Sequence, residues 1–285
     1  MWYVLKKFFI VASILFTAFF LSLIALFFVF PNSLIESWLE SELNERTGFV
    51  FSIEGFQKAF PLGFEMKKMK AIYAGDENPL FYIDNMHGRL LPSSLFLGNI
   101  RINIYGDVGD GHISEEVLIK TNGITLNTVA ENVRLKDIPY LNSIGFYSGV
   151  ISGHGQTTIA HGKCIGGFIK ADGKDIDISR LRVQGIIMPF DMVEKFGITA
   201  KIDDCKLKLS GLWVEGKELS ARLQGVVNIL SPFENSPIDL TLEITPKASI
   251  IEKNALLLLI KNYRKSLNYY SVPIKGTVGS PVFIQ

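Results

Sequence analysis

Residues 8–30 form twenty-three consecutive positions without a charged side chain, and this run restricts the chain more than any other stretch. At about 1.5 Å per helical residue, it is long enough to cross a hydrocarbon core of roughly 30 Å. Ser13, Thr17 and Ser22 are its polar interruptions, and each hydroxyl can bond back to the helix backbone. Phe, Leu and Ile occupy every face, which does not suit a helix buried along one stripe of a soluble core. A cleaved secretory signal has an apolar core of about 7–15 residues and a small-x-small cleavage site. Here the run is longer and closes on Phe27-Phe28-Val29-Phe30-Pro31, so a retained anchor is expected. Lys6 and Lys7 stand immediately before it, in a tail without acidic residues. That asymmetry keeps residues 1–7 in the cytoplasm, makes 8–30 the transmembrane anchor and sends the rest across.

Beyond Pro31-Asn32, Ser33 and Glu36 have the spacing of a capping box, which satisfies the free amides at a helix start. Leu34, Ile35, Trp38, Leu39 and Leu43 share one stripe, and Gly48 supplies a stop, so an amphipathic helix is expected over 31–48. Its polar face is acidic, which favours packing on the following domain over a lipid surface. From Phe49 the apolar period changes to two. Ile100, Ile102 and Ile104 alternate with Arg101, Asn103 and Tyr105, and the same alternation returns at 176–183, 205–209, 219–227 and 238–244. Asn122-Gly123, Asp172-Gly173 and Glu215-Gly216 read as short turns, giving consecutive antiparallel strands over 49–285. A helical period returns over 254–270, with Lys261, Arg264 and Lys265 opposite the apolar side; a helix covering an end of the sheet is expected there. The fold class is mainly β.

The 29 basic and 28 acidic residues leave a net charge of +1, so no field recruits nucleic acid. Cys164 and Cys205 are the two cysteines. They are too few for a disulfide scaffold and lack metal or redox spacing. In an oxidising exported space they can pair; otherwise they are two half-buried strand residues. His154, His161 and Cys164 are close in sequence, but odd spacing along a strand puts the two imidazoles on opposite faces. His87 and His112 are isolated. Gly145-Phe146-Tyr147-Ser148-Gly149 lacks the strand-to-helix setting of a nucleophile elbow. The pairs Asp203-Asp204 and Glu115-Glu116 point to opposite faces, and Gly106, Gly109 and Gly111 lie between strands, not before a phosphate-binding helix. Neither catalysis, a metal nor a cofactor is expected.

Residues 39–48, Leu-Glu-Ser-Glu-Leu-Asn-Glu-Arg-Thr-Gly, followed by Ile53-Glu54-Gly55 after an N-terminal anchor, resemble the opening of AsmA-like proteins. Residues 212–225, then 232–242 around Ser236, then 273–281, Pro-Ile-Lys-Gly-Thr-Val-Gly-Ser-Pro, resemble the type II secretion system protein N family. The likeness spans nearly the whole chain. It implies an accessory component of the general secretion pathway, anchored in the bacterial inner membrane with its bulk in the periplasm. Such a protein acts by contacts with other secretion-system or envelope proteins. The AsmA-like features imply the alternative, a lipid-binding or lipid-transfer protein whose curved sheet forms an open groove or partial barrel for acyl chains.

Overall fold

The computed structural model describes residues 10, 11, 13–15, 17–19, 21, 22, 25, 28–47, 49–73, 79–143, 146–160, 166–177, 182, 183, 186, 187, 193–217, 219–230, 235–247 and 260–284. Among them, no helix is long and apolar enough to cross a membrane, so the expected transmembrane helix is not shown. Within 8–30 the described positions before Phe30 are helical. Their large apolar side chains stand exposed, Val29 at 79%. The remainder of that stretch, with Lys6 and Lys7, lies outside the described residues.

Helix α1, Asn32–Thr47, begins one residue before the expected cap Ser33. Its buried stripe is narrower than the sequence pattern: Ile35 and Leu39 pack on the cluster of Ile53, Phe56, Met66 and Met69, while Leu34 and Trp38 remain exposed. The polar side of α1 has a structural task. Asn44 Oδ1 accepts the Phe51 amide at 2.6 Å and Glu40 Oε1 accepts the Ile53 amide at 2.7 Å. Both amides belong to the first strand, β1, Phe49–Glu54, so the helix satisfies an edge that would otherwise invite another chain.

The strands that follow are β2 (Gln57–Ala59), β3 (Gly63–Tyr73), β4 (Pro79–Leu90), β5 (Ile100–Val108), β6 (Gly111–Lys120), β7 (Gly123–Arg134), β8 (Ser148–Ala160) and β9 (Gly166–Asp177). After them come β10 (Arg182–Val183), β11 (Ile186–Ile187), β12 (Val193–Asp203), β13 (Lys206–Gly216), β14 (Leu219–Asn228), β15 (Pro237–Pro246), β16 (Arg264–Ser266), β17 (Tyr269–Thr277) and β18 (Ser280–Phe283). All but the β10–β11 hairpin form one curved, unclosed antiparallel sheet of 16 strands among the described residues. Pairing follows chain order, as short turns between period-two segments require. One edge is β1 with β2; at the other, β16 and β18 share the outer side of β17.

Bulges bend this sheet. Register breaks between Asp84 and His87 on β4 and between Ala130 and Val133 on β7. Asn85 and Asn132, the residues inserted there, have φ of 49° and 54°. Asn tolerates the left-handed region better than most residues, and a bulge increases local twist and bend.

Three local expectations are corrected. Residues 254–259 of the expected C-terminal helix lie outside the described residues, but from Lys261 there is only a single turn, Lys261–Tyr263, before β16 and β17. Tyr270 is 3% exposed on a strand paired with β15. The aromatic and β-branched run Tyr269-Tyr270-Ser271-Val272 follows sheet pairing in place of the helical period. Asp172-Gly173 is not a turn; it lies inside β9, where a Cβ on Gly173 would sit 2.6 Å from the Phe196 ring. The missing side chain makes room for that ring. Strand β9 ends at Asp177, and Arg182–Val183 pairs instead with Ile186–Ile187.

Candidate functional site

Alternation along each strand and register between strands place the apolar side chains on one face. Ala171 on β9 lies opposite Ile198, which pairs with Leu212, then Leu223, Leu242 and Val272. The same row runs back from Ala171 through Gly153, Ala130 and Ile113 to Gly106 on β5. A parallel row joins Ile151, Gly173, Phe196, Val214, Ala221, Ile244 and Tyr270. At the other ends of these strands, Ile100, Ile119, Ile124 and Ile159 form a third.

Between the first two rows lies an apolar trough of about 470 Å³, lined by Leu135, Leu141, Phe146, Phe196, Leu212 and Leu223 among others. That volume is within the range of small-molecule sites. The connection after β7 closes one end. It consists of a turn at Leu135–Asp137 and helix α3, Pro139–Ser143, which reaches over to β4. Leu135, Ile176 and Val193 are buried there, whereas Ile198, Leu212, Leu223 and Leu242 are only half-buried. The trough is therefore a core at its closed end and an open apolar surface along its length. One carboxylate interrupts the face: Thr128 Oγ1 donates to Glu115 Oε2, and Glu115 Oε1 is buried without a hydrogen-bond partner among the described residues.

The opposite face is polar. Asp107 accepts from Asn85 Nδ2 at 3.0 Å, and its other oxygen is 2.7 Å from His112 Nδ1. The Asn85 hydrogen bond, then that of His112, holds the Asp107 carboxyl below its usual range. A depressed carboxyl pKa contributes stability above its unfolded pKa of about 3.9, and this is lost as pH falls through the lower folded value. The His87 ring stacks on Tyr105 at 5.3 Å. Asn85, which the bulge aims toward Asp107, had no signal in the sequence beyond the known tolerance of Asn for positive φ.

His154 is exposed, as a solvated strand residue. It lies on β8, edge-on to Phe168 at 5.7 Å. His161 and Cys164 lie outside the described residues, and among the described ones no three His, Cys, Asp or Glu side chains converge as metal ligands. Asp203 closes β12 and Asp204 sits in the turn beyond it.

Cys205 occupies that turn with φ of 59° and is disulfide-bonded. The one other cysteine in the sequence is Cys164, which lies outside the described residues. Alkylation of the unfolded protein is expected to label neither cysteine before reduction and both after it. Reduction should cost roughly 3–4 kcal/mol for a loop of this length. Two reactive thiols in the unreduced, unfolded chain would contradict the pairing.

The geometry offers binding surfaces: an apolar trough on one face, a polar face behind it and an exposed last strand. No protein-family model, curated protein or solved structure matches the chain.

Proposed function

We propose that this chain is an accessory component of the type II secretion pathway, held at the bacterial inner membrane by residues 8–30 and acting in the periplasm through protein contacts. One observation carries this reading. The segments that resemble the secretion protein N family, scattered over 212–281, fall on β13, β14, β15, β17 and β18, which are consecutive neighbours in the sheet. Ser236 links them: its hydroxyl accepts the Leu230 amide at 2.9 Å, and its carbonyl accepts the Val278 amide at 3.0 Å. The side chain is fully buried. This block ends in β18, whose Val282 and Phe283 are each 57% exposed. An exposed edge with apolar side chains suits addition of a partner's strand.

The apolar trough favours a second reading, that of an AsmA-like protein which binds or transfers lipid acyl chains. Its lining is nearly all hydrocarbon, and its face stays open beyond the closed end at Leu135 and Phe146. Deleting the gene and assaying both export and outer-membrane lipid composition separates the two. Loss of export with unchanged lipids supports the secretion role and removes lipid transfer; altered lipids with normal export does the reverse.

A further inference from the structure

The connections at one end of the sheet carry exposed apolar side chains that the core does not use. The β2–β3 hairpin tip presents Phe60, 73% exposed, and the β4–β5 connection presents Phe96 at 73% and Leu97 at 78%. These tips are neighbours, because Gly63 at the start of β3 pairs with Arg89 near the end of β4 and the Leu90 amide donates to Leu62 O at 3.0 Å. The second tip is held firmly. Helix α2, Pro92–Leu95, contains Ser94, only 7% exposed. Its hydroxyl donates to Leu91 O at 2.6 Å and accepts the Arg101 amide at 3.1 Å. A firmly held loop that points Phe96 and Leu97 outward is arranged to present them.

The same end meets the apolar N-terminal helix. Phe28 stacks on Phe60 with centroids 6.5 Å apart. Lys58 Nζ donates to Phe28 O at 3.0 Å and to Phe30 O, placing a cation on the last carbonyls of that helix, where its dipole is negative. The row of Ile100, Ile119, Ile124 and Ile159 lies at this end of its strands too, so the apolar face reaches the side on which the tips project.

We propose that Phe60, Phe96 and Leu97 form a second membrane contact, seated at the headgroup and acyl boundary beside the N-terminal span. This rests on the membrane-tethered reading of residues 8–30. The occupant is a bilayer because the tips are continuous with the apolar segment, and aromatic and aliphatic side chains beside a lysine suit an interface where one end is apolar and the other wet. The contact holds this end of the sheet at the bilayer, so that the apolar face begins at the lipid surface with the Ile100 row.

The test uses the full chain carrying Leu97→Trp, reconstituted into phosphatidylcholine vesicles with or without bromine on the acyl chains. Emission is read as the difference from the wild-type chain, with Tyr140→Trp as the distant control. Brominated lipid is expected to quench most of the emission added at position 97, consistent with a depth of about 5–10 Å, and to leave position 140 open to aqueous acrylamide. Acrylamide quenching at 97 overturns the proposal, as does shielding from both quenchers, which assigns the patch to a protein partner or a second copy. A chain that does not float with the vesicles overturns the tether itself and this contact with it.

Discussion

Gly225→Val is expected to cost roughly 4 kcal/mol in chemical denaturation, combining backbone strain and steric overpacking. Gly225 sits mid-strand on β14 with φ of 141°, between Leu209 on one side and Leu240 on the other. A Cβ there would lie 2.2 Å from Asp239 O and 2.8 Å from Leu240 Cα. Both obstacles are backbone in a strand paired on both sides, so neither can rotate away. Against a total stability of about 5–15 kcal/mol, such a loss removes much of the folded population. Gly98→Ala is the matched control. Its φ is 69°, but no atom lies within 4 Å of the added carbon, so only the left-handed strain of about 1–2 kcal/mol applies. Equal losses for the two variants would show that β14 and β15 are not paired in this register.

Replacing residues 1–30 with a cleavable signal is expected to leave the sheet folded and to reduce export to the level of the deletion strain. Folding should survive because the buried clusters draw on residues from Ile35 onward. Activity should not, because a tether raises the local concentration of a binding module to about millimolar, and release also removes the interfacial tips from the bilayer. Circular dichroism and an export assay on the same variant read the two halves of this expectation. Full export by the soluble form would reduce the span to an address.

Strand alternation made most of the fold legible. Ile100, Ile102 and Ile104 do share a face, and antiparallel chain-order pairing follows from the short turns. The misses have local causes. Tyr269 and Tyr270 close the helical period over 254–270 because Tyr263 and Leu267 continue the spacing, whereas pairing with β16 and β15 decides their conformation. Asp172-Gly173 has turn chemistry, yet the glycine accommodates the Phe196 ring inside a strand. The trough was legible only as alternation, because its closed end is made by Leu135, Leu141 and Phe146 from the connection after β7, which folds back over the sheet. The contacts of Glu40 and Asn44 with β1, and of Ser94 and Ser236 with distant amides, carry no sequence period. They depend on chain segments that only the folded sheet brings together.

The central claim, a membrane-tethered binding protein of type II secretion, is tested most directly by measuring export of type II cargo in a strain lacking this chain. The account predicts that cargo accumulates in the periplasm, and that the full chain, but not its soluble form, restores export. Undiminished export without the chain would contradict it.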